Sequence, residues 1–191
     1  MDYRGSTGYG RKEMILANHQ MGKKMQEDKY DALMWANDQG YVDMDNVCIS
    51  GASYGGYAAM QAATKNPELF KCIIAYVGVY DLTSMDLRGL QWSELGMPME
   101  YIEKGDPRDP DDYKNLYENS PLFFAENVED PILIITGRRD TQVRFQETVD
   151  MVNELKKYNK EYKYIIKGEE GHGFRRETAR LELFQDYEEF L

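Results

Sequence analysis

The chain has 191 residues, 42% of them hydrophobic and 13% aromatic, which suits one domain with a sizeable core and excludes a disordered chain. Its net charge of −11 argues against nucleic acid and anionic membrane surfaces as partners, since both would repel it. No apolar run approaches the ~20 residues that cross a bilayer, Met1 to Gly5 lacks the apolar core of a secretion signal, and the expected location is the cytoplasm.

Residues 1–12, rich in Gly, Ser and Tyr, read as a loop. From about Ile15 to Gln39 the pattern predicts a helix with Met21, Met25, Leu33 and Ala36 on one face, and Gly40 is placed to stop it. Asp43 to Asn46 is a turn into a short strand at Val47–Ser50. A Gly-rich turn follows, then a helix to about Lys65 that Asn66-Pro67 ends. Lys71–Val77 is an apolar run of the kind found in parallel sheets covered on both faces. Residues 78–130 form an irregular insertion with four of the six prolines, and short helices are predicted at 83–95 and 111–118. A third strand at Ile132–Thr136 precedes an amphipathic helix from Gln142 to Tyr158, with Phe145, Val149, Val152 and Leu155 inward. A fourth strand at Tyr162–Lys167 and a helix from Arg175 to Leu191 complete the chain. Strands alternating with helices give an α/β fold with a mostly parallel sheet of about four strands flanked by helices, in a single domain over 1–191.

Gly51-Ala52-Ser53-Tyr54-Gly55 carries the chemistry. A strand, a Gly-x-Ser-x-Gly turn and a helix make a nucleophile elbow, in which the turn is so sharp that Gly51 and Gly55 must be small and the serine hydroxyl stands above the sheet. Asp140 follows the third strand and His172, in Gly171-His172-Gly173-Phe174, follows the fourth. Ser, Asp and His in that order, each just past a strand, is the α/β-hydrolase arrangement. Ser53 would attack a carbonyl carbon, His172 would move its proton, and Asp140 would fix the imidazole tautomer. The Tyr54 N–H, at the start of the elbow helix, is the expected oxyanion donor.

Longer segments resemble the catalytic domain of the prolyl oligopeptidase family of serine peptidases. They are Tyr3-Arg4-Gly5-Ser6-Thr7-Gly8-Tyr9-Gly10, Gly51 to Tyr57, Val77 to Leu82, Asn119-Ser120-Pro121-Leu122 and Glu169 to Phe174, and within the family the chain is most similar to the acylaminoacyl peptidase and dipeptidyl aminopeptidase branch. The resemblance implies hydrolysis of short peptides or acylated amino acids, with esters as further substrates and no cofactor or metal. It departs from the family at Arg144, where a proline is usual. Gln142 stands where proline-specific endopeptidases have an arginine, which argues against that specificity. Family members also carry more sheet and a β-propeller upstream of the Tyr-Arg-Gly-Ser segment, including a loop that donates half the oxyanion hole. The chain thus resembles a truncated α/β-hydrolase core. The expectations are a serine peptidase, a carboxylesterase-type hydrolase served by the same residues, or a catalytically weak remnant acting as an association module. Without upstream strands, Val47–Ile49 would be an exposed apolar edge, which predicts a homo-oligomer or residues 1–20 folded over it.

Other features read more plainly. Cys48 and Cys72, each placed in a buried strand, are expected to be free thiols packing as small hydrophobes. Asp106, Asp109, Asp111 and Asp112 lack the spacing and final glutamate of a calcium loop, so a solvated turn is expected. Met97 and Met99 read as core filler, His19 as a surface residue without a partner, and Arg138 and Arg139 as solvated or paired with local acids, or else as a greeting for a substrate carboxylate.

Overall fold

The computed structural model describes residues 1–84 and 104–191. In chain order its elements are α1 (Arg11–Ile15), α2 (Lys24–Asp38), β1 (Cys48–Ala52), α3 (Tyr54–Lys65), β2 (Cys72–Tyr76), α4 (Pro110–Glu118), β3 (Ile132–Gly137), α5 (Phe145–Lys157), β4 (Tyr162–Lys167) and α6 (Glu177–Phe190). Most of the helix expected at 83–95, and Met97 and Met99 with it, lie outside the described residues. Two compact units emerge, one from Met1–Asp43 with Asp81–Phe123, the other from Met44–Tyr80 with Phe124–Leu191.

In the first unit the helix expected over 15–39 forms only as α2, from Lys24 to Asp38; the short α1 ends at Ile15, where that helix was to begin. His19 (φ 55) and Gly22 (φ 68) adopt left-handed backbone between α1 and α2, which no helix accommodates. Gly40 does stop α2: it sits at φ +72, its N–H donates to the Asn37 carbonyl, and the Tyr41 N–H donates to Ala36, the paired bonds of a Schellman cap. The N-terminal loop is fastened to α2 by Arg4, whose guanidinium makes a bidentate pair with Asp28 at 2.6 and 2.7 Å. Next to it the Lys29 ammonium lies 3.8 Å from the centre of the Tyr3 ring and donates to the Met25 carbonyl. The acidic turn caps a helix: Asp109 accepts from the Asp111 and Asp112 N–H groups, and Pro110 opens α4. His19 is not partnerless, as the sequence suggested; its Nδ1 lies 3.2 Å from Asp112 Oδ1.

The second unit holds one four-stranded sheet in the order β1-β2-β3-β4, all parallel. β2 and β3 are buried at every position. Ile74, Leu133 and Ile135 pack with Ala179 and Leu183 of α6, while the alternate residues Ile73, Ile132 and Ile134 point to the other face and are equally buried. Each of these side chains contributes roughly 1.5–3 kcal/mol of transfer free energy. α3 packs on β1 and β2, and α5 on β3. The buried positions of α5 are Glu147, Thr148, Met151 and Leu155; Val149 and Val152, expected inward, are half-buried. β1 is different: its residues alternate between exposed and half-buried, and among the described residues no strand pairs with its outer side.

The free thiols expected at Cys48 and Cys72 are instead a disulfide. Cys48 and Cys72 are register partners in neighbouring strands with Cα atoms 4.6 Å apart, within the range a disulfide spans. Cys72 is buried as expected, whereas Cys48 is exposed on the edge strand.

Candidate active site

Ser53 stands between the last residue of β1 and the first of α3, at φ 56 and ψ −116. This is the backbone of the first central residue of a type II′ turn, a position that glycine fills most readily. The neighbourhood holds it there. The Ser53 N–H donates to the Tyr76 carbonyl at the end of β2 (2.9 Å), and the Ser53 carbonyl accepts the Tyr57 N–H (3.0 Å). A Cβ at Gly51 would meet the Gly55 carbonyl carbon and oxygen at 2.4 Å, so the closeness of the turn demands glycine there. The same demand, expected of Gly55, falls on Gly56 instead. A Cβ on Gly55 would have open space, whereas one on Gly56 would meet the Tyr76 carbonyl at 2.7 Å and the Gly78 Cα at 2.9 Å.

Asp140 lies just past β3, in a turn fixed by the Asp140 N–H bond to Gly137 (3.2 Å). Its carboxylate is fully shielded from solvent, and burying a charge is tolerable only when its lone pairs are used. They are: Oδ1 accepts the N–H groups of Gln142 and Val143, both at 2.8 Å, and Oδ2 lies 2.8 Å from His172 Nδ1. His172 occupies the loop between β4 and α6, and its Nε2 lies 2.8 Å from Ser53 Oγ. A carboxylate is acceptor-only, so the Nδ1 facing it carries hydrogen, and Nε2 of the neutral ring is left to accept the Ser53 hydroxyl proton. The three residues singled out in the sequence therefore form one continuous hydrogen-bonded line. Tyr54 opens α3 immediately after Ser53, where first-turn amides point out along the helix axis.

Two residues that the sequence did not single out tie this line together. Tyr76 accepts the Ser53 N–H through its carbonyl and the Phe174 N–H through its hydroxyl (2.5 Å), and its ring meets that of Phe174 edge-on. Burial raises the Tyr76 hydroxyl above the usual phenol range. Glu170, two residues before His172, has a nearly buried side chain and bonds Arg175 and Arg176. The Arg176 guanidinium holds its carboxyl below the usual carboxylate range. In the sequence it stood out only as part of the Glu169 to Phe174 segment; the signal for its role was its place in a glycine-rich loop just ahead of Arg175-Arg176. The arginines beside Asp140 are occupied locally: Arg139 pairs with Glu169 at 2.6 Å, and Arg138 lies over the Phe145 ring.

Residues 1–191 match the sequence profile of the prolyl oligopeptidase family. The chain is 34% identical over 193 residues to dipeptidyl peptidase family member 6 of Caenorhabditis elegans, covering 100% of this chain and 26% of that protein. It is 36% identical over 179 residues to dipeptidyl aminopeptidase BIII of Pseudoxanthomonas mexicana, covering 92% of this chain and 26% of that one. A solved puromycin-hydrolyzing peptidase of Mycobacterium tuberculosis superimposes with a TM-score of 0.84 at 28% identity, over 95% of this chain and 27% of that structure. The chain thus spans about a quarter of the length of the relatives it matches.

Proposed function

The chain belongs to the prolyl oligopeptidase family, and from that premise we propose that it acts as a serine hydrolase on peptide and acyl-amino-acid bonds through Ser53, His172 and Asp140. The observation that carries the proposal is the pair of 2.8 Å contacts from Asp140 through the imidazole to Ser53 Oγ. In the reaction, Oγ attacks the substrate carbonyl carbon as its proton passes to His172 Nε2. The Tyr54 N–H steadies the oxyanion, and the tetrahedral species collapses as His172 gives the proton to the departing amine. Water, activated by the same imidazole, then hydrolyses the acyl group from Ser53. Asp140 keeps the ring in the productive tautomer and stabilises the imidazolium.

Substrates by this proposal are short peptides and acylated amino acids, with activated esters as probes. A fluorophosphonate should label wild-type protein at Ser53 and leave Ser53→Ala unlabelled. Aminoacyl-p-nitroanilide and p-nitrophenyl ester turnover, with Ser53→Ala as blank, then separates peptidase from esterase. Absence of both labelling and Ser53-dependent turnover would overturn the assignment. The exposed β1 supports a second reading, self-association through a sheet edge. Light scattering that returns a monomer at all concentrations would refute it. A cytoplasmic location is kept as part of the proposal; the Cys48–Cys72 disulfide would be an exception to the reduced state usual for thiols there.

A further inference from the structure

We propose that Glu170 is a positioning residue for this reaction: its carboxylate closes the loop that carries His172, and its main chain joins that loop to the turn that carries Asp140. The proposal rests on the catalytic roles given to Ser53, His172 and Asp140.

The loop from Gly168 to Arg176 has little of its own to hold it. Gly168, Gly171 and Gly173 bring no side chains, and Gly173 sits at φ +84. Ordering such residues costs about 1–2 kcal/mol each in backbone entropy, and more for glycine than for any other residue. Hydrolysis nevertheless needs the imidazole placed to within a fraction of an ångström, and a misplacement of ~1 Å can cost ~10²-fold in rate.

Glu170 supplies the missing restraints at both levels of the chain. Its Oε2 accepts the Arg175 N–H at 2.9 Å and its Oε1 accepts Arg176 Nε at 2.5 Å, closing a ring in which His172 is enclosed. The carboxylate is only 4% exposed, so these charge-assisted bonds work with little competition from water. Through the main chain, the Glu170 carbonyl accepts the Arg139 N–H at 2.9 Å, one residue before Asp140. The approach is so close that a Cβ on Gly137 would lie 2.5 Å from the Glu170 and Gly171 carbonyl oxygens. On the far side of His172, Phe174 is held by the Tyr76 hydroxyl. His172 is thereby braced on both flanks, with Glu170 contributing to each.

A role in stability alone would leave the imidazole as it is in every folded molecule. The test therefore reads the ring directly as well as turnover. The chain has two histidines, so histidine-labelled protein in a His19→Gln background shows one imidazole by nitrogen-15 NMR. Glu170→Ala should lower kcat for a p-nitrophenyl ester by ~10²-fold with KM within ~3-fold, the pattern of lost transition-state alignment. Its His172 resonances should broaden or average. Glu170→Gln and Arg176→Ala, which each keep part of the ring, should fall between Glu170→Ala and wild type, and these two decide the matter if Glu170→Ala does not fold. Unaltered His172 resonances with kcat within ~3-fold in the folded variants would overturn the proposal. Wild-type protein without Ser53-dependent turnover would instead overturn the hydrolase assignment, and the imidazole spectrum would still judge Glu170.

Discussion

Replacing Asp140 by asparagine should nearly abolish turnover, because three hydrogen bonds leave the new amide only one good orientation. Oδ1 accepts two main-chain N–H groups, from Gln142 and Val143, both at 2.8 Å. An asparagine keeps its carbonyl oxygen there, which places its NH2 where Oδ2 now faces His172 Nδ1 at 2.8 Å. The NH2 can only donate, so Nδ1 must accept and the ring proton moves to Nε2, facing Ser53 Oγ. In that tautomer the imidazole cannot take the serine proton. Flipping the amide would restore the tautomer but leave two donors facing an NH2 group, at about 1–3 kcal/mol each, or roughly 2–6 kcal/mol together. A wrong-tautomer triad loses ~10⁴ in kcat, which is about 5.4 kcal/mol. The flip therefore offers partial rescue at best, and the expected loss lies between ~30-fold, if the flip costs only about 2 kcal/mol, and ~10⁴-fold. The assay is p-nitrophenyl ester hydrolysis with Ser53→Ala as the blank, on protein checked for a native circular dichroism spectrum. Retention of more than about a tenth of wild-type kcat would show that Asp140 does not set the tautomer, and the chain of roles built on it would fail.

Gly137→Ala should destabilise the fold by about 1–3 kcal/mol and lower kcat as well, since the new methyl would displace two backbone carbonyls of the His172 loop; denaturant unfolding and ester turnover measure the two effects. Removing the disulfide in a Cys48→Ser/Cys72→Ser double variant should cost about 3 kcal/mol of stability, from the 24-residue separation it closes, and thiol titration of unfolded wild-type protein should find no free thiol. Burial presses the Lys29 ammonium down to about 8, against the pull of Asp28. The folded state then binds fewer protons than the unfolded chain between that value and the ordinary lysine value of 10.5. Stability of wild type relative to Lys29→Met should accordingly rise with pH across this window, its penalty being complete below it and gone above it; a flat difference in urea unfolding would refute the burial of the charge.

The elements legible in the sequence are those whose signal is local. β3 and β4 were read within a residue of their ends, because Ile132–Ile135 is a continuous apolar run and Tyr162–Lys167 is bounded by turn residues. Ser53, Asp140 and His172 were legible because each follows such a run. What escaped depends on partners distant in sequence. The Cys48–Cys72 bond requires knowing that β1 and β2 are neighbours in a register that sets those two residues opposite each other. The close approach of Gly56 to Gly78 depends on the same pairing. Glu170 escaped because a carboxylate in a glycine-rich loop defaults to solvent, and only Arg175 and Arg176 folding back make burial affordable. The late start of α2 turned on His19 and Gly22, whose left-handed backbone is one that histidine and glycine tolerate without their presence requiring it.

The backbone at Ser53 sets folding and chemistry at odds. A side chain at φ 56 and ψ −116 carries strain of order 1–3 kcal/mol that glycine would relieve, and the β-branched Val77, at φ 45 just after Tyr76, adds a second such position beside it. Any procedure that optimised this sequence for stability alone would drift toward glycine at position 53 and erase the proposed nucleophile while reporting an improvement. The converse guides engineering of a sturdier variant: substitutions are safest where backbone is relaxed and far from β1, while residues 51–56 and 76–78 are best left untouched.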